Sequence, residues 1–153
     1  MKTFLITLVA IFIMPSAYAK SPPQWLYNAI KVSNPNELAY FVQVSDSCPF
    51  TSDEINEITE GVLIRSRIKP LKDDIFVSGR IYLNLGISCV KLDGSSQVFA
   101  IKSAFGRYEP TPAIIYDYPF GFNGIGPKEY ILTNFKSSTE RAITAFVKSN
   151  FNL

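Results

Sequence analysis

The chain contains no histidine. That removes Ser-His-Asp and Cys-His nucleophile activation, His-ligated zinc and imidazole acid–base catalysis. Paired carboxylates remain. Glu109 and Asp117 flank the Pro110-Thr111-Pro112 turn and a short apolar run, and two carboxyls facing across a cleft are what a glycosidase-type hydrolase needs. Asp73-Asp74 offers oxygen ligands for a hard cation but lacks the spaced series of a calcium loop. Gly121-Phe122-Asn123-Gly124-Ile125-Gly126 precedes a helical pattern, a position that attracts anions. Its glycine spacing fits neither the dinucleotide fingerprint nor the P-loop, whose lysine is missing. The sequence assigns no catalytic residue, no metal and no cofactor.

Binding residues are better represented. Tyr116, Tyr118, Phe120 and Phe122 alternate into the glycine-rich stretch, with Arg107 and Tyr108 just before them. Tyr, Phe and Arg are residue types suited to contact surfaces, and loops carry function more often than the elements they join. These six residues are the expected binding set. The competing reading is that the rings fold inward and cover the open end of a sheet. Arg65, Arg67, Arg80 and Arg107 form a second possibility, a patch for an anionic ligand if the fold brings them together.

The first segment reads as an export signal. Lys2 precedes an apolar run from Phe4 to Met14, Pro15 ends it, and Ala17-Tyr18-Ala19 has the small-x-small pattern of a cleavage site. The run is shorter than the roughly 20 apolar residues of a membrane span, so residues 1–19 are expected to be cleaved, leaving no transmembrane anchor. Residues 20–153 then form a single small domain. The formal net charge is only +2, falls by one with Lys2, and includes no basic run, which argues against a nucleic-acid partner. No Asn-x-Ser/Thr sequon occurs, which favours a bacterial source and a periplasmic or secreted location. In an oxidising compartment the two cysteines, Cys48 and Cys89, are expected to pair.

The elements that must position these residues are legible from periodicity. Ile81, Leu83, Leu85, Ile87 and Cys89 alternate with mostly polar or small residues, the period of a half-buried strand. Asp93-Gly94 is a hairpin turn pair, and Gln97 to Tyr108 forms the returning arm. Both faces of that arm are apolar enough for a helix or a partner to cover its other side. Glu37 to Ser45 reads as a strand with Leu38, Tyr40, Val42 and Val44 inward, and Ala113 to Tyr118 as a third or edge strand. Thr51-Ser52-Asp53-Glu54 is a capping box opening a helix that Pro70 stops. A short helix starts near Pro22, with Trp25 docking it on the core. A long helix runs from about Lys128 to Asn150, although Ser137-Ser138-Thr139-Glu140 offers a second capping pattern. The predicted architecture is α+β: an antiparallel sheet of three to four strands with two main helices packed on one face, a two-layer sandwich.

The expected function is an exported, non-enzymatic binding or accessory protein of the bacterial cell envelope, docking on a protein partner through the aromatic and glycine stretch. A periplasmic inhibitor or immunity-type protein is the alternative, and a small hydrolase using Glu109 and Asp117 the third. The cysteine pairing carries its own check. Closing a loop of this length, a sequence separation of 41, stabilises a fold by about 4 kcal/mol in the chain-entropy model. Alkylation of the unfolded, unreduced protein should add no label, and reductant should lower its melting temperature.

Overall fold

Among the described residues, six strands and three helices follow one another as α1 (Gln24–Ala29), β1 (Glu37–Val44), α2 (Ser52–Arg65), β2 (Lys69–Lys72), β3 (Ile81–Lys91), β4 (Gln97–Arg107), β5 (Ile114–Tyr116), β6 (Phe122–Gly126) and α3 (Lys128–Phe151). The computed structural model describes residues 21–92, 94–109, 114–116, 120–151 and 153. The expected signal peptide, residues 1–19, lies outside them, as do Asp117 and Tyr118.

The fold is α+β, an open sheet of order β2-β1-β3-β4-β5 with β6 also on β4. The expected antiparallel sheet of three to four strands is corrected in two respects. The sheet has six strands, and it is mixed: β1 runs parallel to both β2 and β3. The cause is α2. It carries the chain from the end of β1 back to its start, so β2 enters alongside β1 in the same direction, as a crossover helix requires. The helix ends at Arg65, Arg67 turns the chain at φ 59°, and Pro70 sits inside β2. An edge strand tolerates proline because only one side must donate.

The β3–β4 hairpin is the long central ladder, in register from Ile81↔Arg107 to Lys91↔Gln97. Its inward residues continue those of β1, so that Tyr40, Leu83 and Phe105 lie side by side, as do Val42, Leu85 and Ser103. Against this face pack Ile55, Val62 and Leu63 of α2, and Ile131, Phe135, Ile143 and Phe146 of α3. On the outer face, Val98 is 40% exposed between Val90 and Ile125, which are 65% and 62% exposed. Sequence periodicity placed the inward face; the other face of β4, read as apolar enough to be covered, is exposed at Val98.

The helix ends follow local chemistry. Thr51 Oγ1 accepts from Glu54 N at 3.3 Å, and Glu54 Oε2 accepts from Thr51 N at 2.9 Å, a complete capping box. Lys128 Nζ donates to the other oxygen of Glu54 at 2.6 Å, linking the starts of α2 and α3. That donation, with the Thr51 N–H, holds the Glu54 carboxyl below its usual range. The second capping pattern does not open a helix. Ser138 and Thr139 are buried in the middle of α3, where the Thr139 hydroxyl donates to Phe135 O. In α1 the buried residue is Leu26, followed by Ile30 just beyond the helix, while Trp25 is 50% exposed. The docking role expected of Trp25 belongs to those two neighbours.

Cys48 and Cys89 are joined, pinning the segment after β1 to the far end of β3. A disulfide of this kind marks an extracytoplasmic protein. A second tie joins β1 to α2: the buried Tyr40 hydroxyl donates to Glu60 Oε1 at 2.6 Å. Burial, then the contact with Glu60, pushes the Tyr40 phenol well above its usual value, and burial does the same to Tyr82. An unfolded chain ionises its tyrosines near pH 10, whereas these two hold their protons when folded. Stability contributed by them is complete below about pH 10 and declines as the pH rises above it. The midpoint of urea unfolding should fall above about pH 10, with a smaller fall in Tyr40→Phe, and phenolate absorbance should show tyrosines that ionise only on unfolding.

Candidate binding surface

β4 ends at Arg107, level with Ile81 at the start of β3 and on the core-facing side of the sheet. The α1 layer stops above it at Ala29. Arg107 bridges the two layers: its Nη2 donates to Ala29 O at 3.0 Å, and its Nε donates to the Tyr116 hydroxyl at 3.3 Å. Tyr116 reaches this position because β5 pairs antiparallel with β4, Tyr116 opposite Phe105. The guanidinium is therefore held by a backbone carbonyl and a phenol rather than by a carboxylate.

Tyr108 continues the hairpin beyond β4. Its N–H donates to Arg80 O at 2.9 Å, and its carbonyl accepts from Gly79 N at 2.7 Å. Gly79 has φ 77°, a left-handed conformation that glycine adopts without strain. The Tyr108 ring meets Phe76 edge-on, centroids 5.6 Å apart at 87°. Phe76 is 73% exposed. The structure thus forms two separate pairs that include three of the six expected binding residues, Arg107 with Tyr116 and Tyr108 with the additional Phe76. Phe76 lies outside the expected set; its sequence signal is the apolar run Ile75-Phe76-Val77, which follows Lys72-Asp73-Asp74.

The glycine-rich stretch is placed differently. Phe120 is 3% exposed, with its ring edge-on to Phe105 at 5.9 Å. Its carbonyl accepts from the Ser138 hydroxyl at 2.6 Å and from Arg141 Nη2 at 2.7 Å, and Ser138 also shares a hydrogen bond with Ser103. Phe122 is half-buried beside Phe99 and Tyr130. What read as a loop, residues 119–127, contains strand β6, paired from Gln97↔Gly126 to Ile101↔Phe122. Gly121 is needed there, since a Cβ would stand 2.1 Å from Ile101 O. Phe120 and Phe122 thus line the core side of the sheet.

Beside Arg107 the two layers leave a cleft of about 360 Å³. Lys31 and Ser33, from the exit of α1, form one wall. Ser78 to Ile81 also line the cleft, as do Glu37, Leu38 and Leu71. Arg80 lines this cleft with Arg107, and its Nη1 donates to Asp74 O at 3.0 Å and pairs with the Asp74 carboxylate. Asp74 is accordingly an ion-pair partner. The other two arginines of the basic set lie elsewhere. Arg65 reaches Glu140 of α3 at 3.6 Å, and Arg67 occupies the turn after α2. Glu109 is half-buried just past Tyr108.

No protein-family model matches this chain, and no curated protein does. Among solved structures, a crystal structure of a minor lipoprotein from Acinetobacter baumannii is similar over 72% of this chain and 90% of that one, with 8% sequence identity and a TM-score of 0.34. Among the described residues, no helix is long and apolar enough to cross a membrane.

The placement of Phe120 has a measurable consequence. Phe120→Ala should destabilise the fold by about 3–5 kcal/mol, the cost of emptying a buried aromatic site. Phe76→Ala, on an exposed ring, should change stability by less than about 1 kcal/mol. Chemical denaturation of the two variants checks both.

Proposed function

We propose that this protein is an exported accessory component of the bacterial cell envelope that acts by binding a protein partner, and that it docks through the end of the sandwich carrying Phe76, Arg107, Tyr108 and Tyr116. The observation that carries the reading is the Phe76–Tyr108 pair. An aromatic ring 73% exposed, braced by a second ring whose backbone is tied into the sheet, has no evident part in folding. Rigid aromatic anchors beside an arginine are the usual composition of a binding hot spot. The disulfide supports the location. Tyr118 adjoins this surface in sequence and belongs to the same test.

Purified wild type should retain one specific protein from an envelope extract, and the same protein, purified in turn, should bind directly. Phe76→Ser with Tyr108→Ser should weaken that direct binding by at least about tenfold, the loss of about 1.4 kcal/mol, while circular dichroism and the melting temperature stay close to wild type. A partner that binds this folded variant as well as it binds wild type would place the contact elsewhere. The absence of any direct partner would remove the docking role.

A further inference from the structure

The cleft beside Arg107 shares that residue with the proposed docking surface but not its aromatic rings. Neither Phe76 nor Tyr108 lines it, and it has its own chemistry. Three cationic side chains, Lys31, Arg80 and Arg107, face one carboxylate in the lining, that of Glu37. Asp74 pairs with Arg80 from outside the lining. Counting both acids, the cleft keeps a surplus of one positive charge. That surplus lies in a concave place, where field lines are focused.

We propose that this cleft binds a small ligand bearing a phosphate or carboxylate group. Both guanidiniums are already oriented. Arg107 is held by Ala29 O and the Tyr116 hydroxyl, and Arg80 by the backbone and side chain of Asp74. A planar guanidinium donates in parallel pairs to two oxygens of an oxyanion, and fixing it beforehand lowers the entropy lost on binding. Among the described residues, the two acceptors of Arg107 are both uncharged. Ser33 and Ser78 add hydroxyls to the walls, while Leu71, Val77 and Ile81 supply apolar surface for the body of the ligand. A volume of about 360 Å³ lies at the small end of the range for organic ligands.

The inference goes beyond partner docking and does not depend on it, so the purified protein alone serves for the test. Amide shifts are followed by ¹H–¹⁵N NMR at constant ionic strength while inorganic phosphate, phenyl phosphate or benzoate is added. The expected result is saturable shifts at Lys31, Ser33, Gly79 and Arg80, with phenyl phosphate or benzoate binding more tightly than inorganic phosphate. Saturation by phenyl phosphate alone identifies a phosphate ester as the ligand class, saturation by benzoate alone identifies a carboxylate, and saturation by both identifies a general oxyanion site. Arg80→Gln and Arg107→Lys should each weaken binding by about tenfold, the second because it keeps the charge and loses the fork. If Arg107→Lys fails to fold, Arg80→Gln and Lys31→Gln carry the same comparison. Shifts scattered over surface lysines, affinity unchanged in Arg80→Gln, or no saturation with any of the three anions would overturn the proposal.

Discussion

One face of the β3–β4 ladder has to be buried, and much of the chain is arranged to bury it. The inward side carries Leu83, Leu85, Ile87, Phe99, Ile101 and Phe105, all at most 3% exposed. Neither α2 nor α3 covers that width alone, so α2 packs toward β1 and β2 while α3 lies over β4 and β6. The helices are locally favoured by capping and amphipathic spacing, but their placement follows from the sheet. Among the described polar groups on the buried side, Gln97 Oε1 and Asn56 Oδ1 have no hydrogen-bond partner, whereas two serines are matched. Ser103 meets Ser138, and Ser138 in turn meets Phe120 O, so a hydrophobic interface is pinned at one point by a directional contact.

Near that contact two short strands pair with the same edge of β4. Phe105 faces Tyr116 and Ile101 faces Phe122. Four steps along β4 are therefore matched by six along the neighbouring chain, and the surplus falls between β5 and β6. Ser138 and Arg141 bind the carbonyl of Phe120 where the second strand resumes pairing. The excursion separates two neighbourhoods: an aromatic and arginine-bearing end around Tyr116, and a core-lining stretch around Phe122. A run of alternating aromatics in the sequence thus divides between surface and interior within a few residues.

Much of the secondary structure was legible because it rests on local signals. The period of two in Ile81–Cys89, the Thr51–Glu54 capping box and the long pattern after Lys128 each specify their element without reference to the rest of the chain. The direction of β1 was not legible, since parallel and antiparallel pairing leave the same alternation. Strand β6 was hidden by Gly121, Asn123, Gly124 and Gly126, residues disfavoured in strands. There the edge of β4 supplies the hydrogen bonds, and Gly124 makes room between Phe99 and Phe122. At the candidate site, Arg107, Tyr108 and Tyr116 stood out by residue type. The cleft did not, because Lys31, Glu37 and Arg80 are brought together only by the meeting of α1, β1 and β3. A sequence gives no distance between residues that far apart.

The position of β1 between β2 and β3 bears on how the chain folds. Both of its partners follow it, starting at Lys69 and Ile81. A chain that emerges N-terminus first therefore presents Tyr40, Phe41, Val42 and Val44 before any strand exists to receive them. Between β1 and β2, α2 can form at once from local contacts, held by its own cap. Completing the sheet requires closing loops of some forty residues, slow relative to helix formation. Cys48 and Cys89 are neighbours once that closure has put β1 and β3 in register, so the bridge ties the strand that waits to the one it waits for.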